Sequence, residues 1–131
     1  MVYLALINGA KGISWYSVHD PGWDLTKTPL WARMKELNAE TALAGKLVVT
    51  GRPLPPVTVD NKDVQAAAWQ LAGQTRVLVT NPTAQPQTAT LKLAQSVTQG
   101  RRLQGVGEVE VADRTLKVSL PAYGSATLAA Q

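Results

Sequence analysis

The chain has 131 residues, 45% of them apolar, with no cysteine or phenylalanine and a formal net charge of +4 from 13 basic and 9 acidic side chains. That is enough for one packed domain and too little for a whole (β/α) barrel, which takes about 250 residues. The missing cysteines exclude disulfides, thiolate chemistry and cysteine-ligated zinc. The charge is scattered, with Arg101-Arg102 the one adjacent basic pair and no basic stripe interleaved with aromatics, so nucleic acid is not an expected partner.

The opening stretch from Met1 to Ala10 is apolar but has no basic leader, and Asn8, Gly9 and Lys11 cut it far short of the ~20 residues needed to span a bilayer. Neither a signal peptide nor a membrane anchor is expected in this chain. Val2 to Asn8 instead predicts a short helix, apolar nearly all round and ended by Gly9 and Gly12. The β-branched and aromatic run Ile13 to Val18 suits a buried strand, and His19 to Lys27 a polar loop. A second helix is marked by Thr28 as N-cap and Pro29 at its first position, with Leu30, Met34, Leu37 and Ala44 along one face and Gly45 as its stop.

Near residue 46 the apolar period changes from helical to two, which predicts a boundary between a first unit, residues 1–46, and a second, residues 57–131. Pro53, Pro55 and Pro56 make the crossing stiff and extended. Beyond it, Val64 to Leu71 and Gln74 to Thr80 flank the two-residue turn Ala72-Gly73 and predict a hairpin. Trp69, beside Leu71 on the Gln65 and Ala67 side of its strand, is expected in the sandwich core. Ala89, Leu91 and Leu93 alternate with Thr88, Thr90 and Lys92; Val109 and Val111 alternate with Glu108 and Glu110; Leu116, Val118 and Leu120 alternate with Thr115, Lys117 and Ser119. Strands with one wet and one dry face, about seven or eight in number, give a mainly β fold: an antiparallel two-layer β-sandwich. A helix-strand-helix unit precedes it.

The run Tyr3 to Ser17, reading Tyr-Leu-Ala-Leu-Ile-Asn-Gly-Ala-Lys-Gly-Ile-Ser-Trp-Tyr-Ser, resembles the passage from the seventh helix to the eighth strand of barrel glycoside hydrolases of the β-galactosidase and cellulase-like superfamily. The helix from Leu30 to Leu43 looks like the helix that closes such a barrel. The segments Val64 to Trp69, Val77 to Pro82 and Leu120 to Gly124 are similar to the small sandwich attached after it. The resemblance implies that residues 1–46 are a remnant of the barrel, and that an aromatic at the end of the eighth strand, here Trp15 or Tyr16, helps form a sugar-binding floor. It also implies that the barrel's catalytic carboxylates lie on strands upstream of Met1.

Within the chain itself, His19, Asp20 and Asp24 with Trp23 form the one cluster resembling a site. Glycoside hydrolysis needs two carboxyl groups about 5–10 Å apart, one kept protonated. Asp20 and Asp24 could fold back to that separation, but Asp-Pro-Gly is also ordinary turn chemistry. His19 with the two aspartates makes a poor metal signature, and no metal or cofactor is expected. Ser17 and His19 share a strand face but lack a nucleophile elbow. If any residues here are catalytic they are Asp20, Asp24 and His19; Trp15, Tyr16 and Trp23 are the candidates for stacking on a sugar.

Three functions fit this reading. The first is a C-terminal accessory portion of a glycoside hydrolase, non-catalytic alone, supporting the barrel and contacting carbohydrate. The second is an autonomous carbohydrate-binding sandwich, and the third a small hydrolase using the His19 to Asp24 loop. A lone barrel unit would also leave its strand and first helix uncovered, so a homo-oligomer built on residues 1–44 is expected.

Overall fold

A computed structural model describes residues 1–14 and 19–131. The expected strand over residues 13–18 falls mostly outside the described residues. The described helices are α1 (Val2–Ile7) and α2 (Pro29–Thr50). A two-residue ribbon, β1 (His19–Asp20) with β2 (Trp23–Asp24), and a single 3-10 turn (Leu25–Lys27) lie between them. Nine strands come after α2 among the described residues: β3 (Arg52–Pro53), β4 (Thr58–Val59), β5 (Gln65–Leu71), β6 (Gln74–Thr80), β7 (Gln87–Lys92), β8 (Gly100–Gly105), β9 (Glu108–Ala112), β10 (Thr115–Leu120) and β11 (Ser125–Ala130).

These form an antiparallel sandwich of a four-stranded sheet, ordered β4-β7-β10-β9, and a five-stranded sheet, ordered β3-β5-β6-β11-β8. Seven of the nine strands have five residues or more. The expected hairpin is present: Leu71 pairs with Gln74 across Ala72 (φ 51) and Gly73 (φ 76), both left-handed as a type I′ turn requires. Between the sheets, Val77, Val79, Leu91, Leu116, Val118 and Leu128 are essentially inaccessible. The alternation read in β7 and β10 holds, with Ala89 and Leu91 dry opposite Leu116 and Val118. In β9 it fades: Val111 is exposed, because β9 is the border of its sheet.

A second core lies on the other side of the five-stranded sheet. Val2, Tyr3 and Leu6 of α1 and Ala44, Leu47 and Val48 of α2 pack with Trp69 and Leu78. Trp69 is thus buried, as expected, but on the outward face of β5, beneath the helices rather than between the sheets. Nor is α1 left bare, as a lone barrel helix would be. Its apolar side is covered by the chain's own sheet, and the Tyr3 hydroxyl lies 3.0 Å from Thr127 Oγ1 in the buried interior. Burial raises the pKa of Tyr3, so its hydroxyl stays protonated and able to make this bond.

The end of α2 corrects the sequence reading. Gly45 does not stop the helix, which continues to Thr50. A glycine inside a helix costs about 1 kcal/mol relative to alanine. Burying Leu47 and Val48 against Trp69 and Leu78 outweighs that, since each such side chain contributes about 1.5–3 kcal/mol. The helix stops at Gly51, where a β-carbon would collide with the Leu47 carbonyl oxygen and press on Trp69. Lys11 reaches across from the first loop, its Nζ 2.9 Å from the Val48 carbonyl, placing a cation at the negative end of α2. Thr28 precedes α2 in extended conformation with Pro29 next, but its hydroxyl donates back to Leu25 (2.7 Å) instead of capping the helix.

The sheet borders share a design. β3 and β4 are two residues long, β3 ends in Pro53, β8 carries a bulge, and β9 presents Glu108 and Glu110.

Candidate functional site

The His19 to Asp24 segment is a tight ribbon. Pro21 and Gly22 (φ 83) form its turn, the left-handed third position being one that glycine adopts without strain. The register pairs His19 with Asp24 and Asp20 with Trp23, so the residue facing Asp24 across the ribbon is His19 and not Asp20. Asp20 is described in its backbone alone. Its side chain, like residues 15–18 with Trp15, Tyr16 and Ser17, lies outside what the structure describes.

Asp24 is held by the 3-10 turn on its C-terminal side. One carboxylate oxygen accepts the Thr26 amide (2.9 Å) and the Thr26 hydroxyl (2.6 Å), which makes Asp24 the N-cap of that turn. His19 Nδ1 lies 3.5 Å and Lys27 Nζ 3.4 Å from the same carboxylate. The Thr26 hydroxyl, more than any other group, holds the Asp24 carboxyl below the usual aspartate range, with the Thr26 amide, His19 and Lys27 adding to it. Such a carboxylate is an ionised acceptor. It lacks the raised pKa a general acid needs at neutral pH. Beside it, Trp23 is 43% exposed in an open depression shared with His19, Gly22 and Lys27. A half-exposed indole flanked by polar groups can stack on the C–H face of a sugar ring.

Among the described residues, no group of three His, Asp or Glu side chains could hold a metal ion. Nor, among the described residues, is any helix long and apolar enough to cross a membrane. Trp69, the tryptophan of the sandwich, cannot serve as a sugar platform because α1 and α2 cover it. Tyr123, at 70% exposure, is open at the turn between β10 and β11.

The fold also assembles a cluster that sequence reasoning did not single out. Arg76 of β6 and Arg101 of β8 each pair with Ala129 of β11, so the two guanidinium-bearing positions flank one small residue on one face of the sheet. Only the strand order reveals this, since nothing in the linear pattern announces that β11 runs between β6 and β8.

No protein-family model and no curated protein sequence matches this chain. Among solved structures, the crystal structure of an alpha-amylase from H. orenii superposes on 70% of the chain with a TM-score of 0.45 and 12% sequence identity. The chain spans 18% of the length of that protein. A likeness this slight transfers neither activity nor substrate.

Proposed function

We propose that this chain is the C-terminal accessory portion of a glycoside hydrolase, non-catalytic alone, in which the sandwich stiffens a preceding barrel. The observation that carries the reading is the seam between helices and sandwich. α1 and α2 bury Tyr3, Leu6, Leu47 and Val48 on Trp69 and Leu78, so whatever is built onto these helices is fixed rigidly to the sheet. An Asp24 carboxylate spent on capping a turn agrees with catalysis residing elsewhere.

Two experiments bear on this. The coding sequence upstream of Met1 is expected to contain further β/α units in frame, and an in-frame stop codon directly ahead of Met1 would overturn the proposal. The purified chain is expected not to turn over aryl glycosides; turnover that disappears on Asp24→Ala or Asp20→Ala would establish the small-hydrolase alternative instead. A second reading, an autonomous carbohydrate-binding module, draws on the exposure of Trp23 and Tyr123. Its test is retention on immobilised polysaccharide that is lost on Trp23→Ala.

A further inference from the structure

We propose that the outward face of the five-stranded sheet carries a binding site for an acidic sugar, placed beyond the area the helices cover. The register sets Pro53, Trp69, Arg76, Ala129 and Arg101 in one row across the five strands. α1 and α2 cover the Trp69 end of the row. At the other end, Arg76 and Arg101 stand two strands apart, about 10 Å between backbones, with only the methyl group of Ala129 between them. A cavity of about 110 Å³ opens there, and Gln74, Gln99 and Gln131 line it with the two arginines.

Neither arginine of this cavity is held in an ion pair among the described residues. Arg76 donates to Gln74 Oε1 and to the Thr75 carbonyl (3.4 Å), both neutral acceptors that orient the guanidinium without neutralising it. The terminal carboxyl group of Gln131 also borders the cavity, but its oxygen accepts the amides of Thr98 (2.6 Å) and Gln99 (2.9 Å) and it forms no ion pair with either arginine. Two cationic side chains that flank a small residue and line one cavity favour an anion there, and the planar guanidinium fork matches a carboxylate with two parallel hydrogen bonds.

A bare anion would not need the glutamines. Their carboxamides carry both donors and acceptors, and although Gln74 Oε1 already accepts from Arg76, its amide hydrogens and the other two glutamines suit hydroxyl groups that both donate and accept. Two cations for a carboxylate, ringed by amides for hydroxyls, are the complement of a uronic acid. The site does not depend on the accessory reading, since it requires only the sheet.

The test is a titration of the isotope-labelled full chain with sodium glucuronate, monitored by amide chemical shifts at constant ionic strength, beside acetate, glucose and inorganic phosphate. Glucuronate is expected to move the amides of Arg76, Ala129 and Arg101 with a dissociation constant of about 1 mM, at least about tenfold tighter than the other three. Arg76→Gln and Arg101→Gln should each weaken it about tenfold or more. Arg101 is exposed, so Arg101→Gln tests the site even if Arg76→Gln perturbs the sheet. Equal affinity for acetate or phosphate would mean an anion site without sugar recognition and overturn the proposal. Shifts that lie elsewhere, or that survive Arg101→Gln, would overturn it as well.

Discussion

Replacing Asn81 by alanine should be among the most damaging changes in the sandwich. Asn81 has no accessible surface, and its side chain makes four hydrogen bonds. Nδ2 donates to the Gln85 carbonyl at 2.7 Å and the Pro121 carbonyl at 2.9 Å; Oδ1 accepts from the Thr83 amide at 2.9 Å and hydroxyl at 2.7 Å. One amide thereby ties the end of β6 to the turn before β11 and to the loop before β7. At about 1 kcal/mol net per bond the loss would be about 4 kcal/mol. The Thr83 hydroxyl also bonds the Gln85 carbonyl (3.1 Å), so part of the network survives, and about 2–3 kcal/mol is the expected cost. For a domain of this size that lowers the thermal midpoint by about 10 °C.

Asn81→Asp sharpens the test. It keeps the acceptor for Thr83 but turns a charge toward the Gln85 and Pro121 carbonyls, so burial and these oxygens should raise the pKa of the introduced carboxyl above its unfolded value. Its destabilisation is then full above the raised folded pKa and fades as pH falls through it toward the unfolded value. Urea unfolding of both variants across pH 4 to 8 measures this. An Asn81→Ala midpoint within about 0.5 kcal/mol of the parent, or an Asn81→Asp penalty that does not change with pH, would refute the reasoning.

Ala72→Asn should stabilise by about 0.5–1 kcal/mol, because a left-handed alanine is strained where asparagine is tolerated and Asn-Gly is the preferred type I′ pair; thermal unfolding reads it, and a loss of stability would contradict the turn assignment. The Asp24 carboxyl should titrate below the ordinary aspartate value, so its capping interaction is complete above that value and is lost as pH falls through the lower folded one; Thr26→Ala should move the midpoint back up in a carbon-detected titration. Self-association through residues 1–44 stays a proposal, now resting on exposed Ile13 and Leu30 rather than on α1. Sedimentation at micromolar concentration should give at least two chain masses, and a persistent monomer would discard it.

The sandwich was legible wherever a strand has one dry and one wet face. β7 and β10 alternate because their sheet is covered on one side only, and the Ala72-Gly73 turn announces its hairpin. β11 was not legible. Ser125-Ala-Thr-Leu-Ala-Ala has little β-branched character, and it serves as an interior strand because small residues fit between a core on one face and Tyr3 on the other. β8 escaped for the opposite reason: Gly100-Arg-Arg-Leu-Gln-Gly shows no apolar alternation, since it is a border strand whose outward face the helices leave open. Gly45 reads as a stop on local propensity alone; the helix runs on because Leu47 and Val48 are buried, and no periodicity within the helix reveals that they are directed at Trp69. In the candidate site, Asp24 as a cap could have been read from Thr26 two residues on, whereas the meeting of Arg76 with Arg101 depends wholly on the position of β11.

The borders of the two sheets carry a consequence for how this chain behaves at high concentration. A fibril grows when an unpaired strand offers a long, flat row of amides and carbonyls to an incoming copy. Here β3 offers two residues, one of them a proline without an amide hydrogen, and β4 offers two. β8 has an extra residue, Leu103, between the Arg102–Leu128 and Gln104–Thr127 pairs, which twists its free side away, and neighbouring arginines would repel an identical strand. β9 sets Glu108 and Glu110 where a second β9 would bring the same charges opposite. Among the described strands, all four borders of the sandwich are therefore closed to open-ended strand addition, and the sandwich should not seed fibrils when warmed or concentrated short of global unfolding.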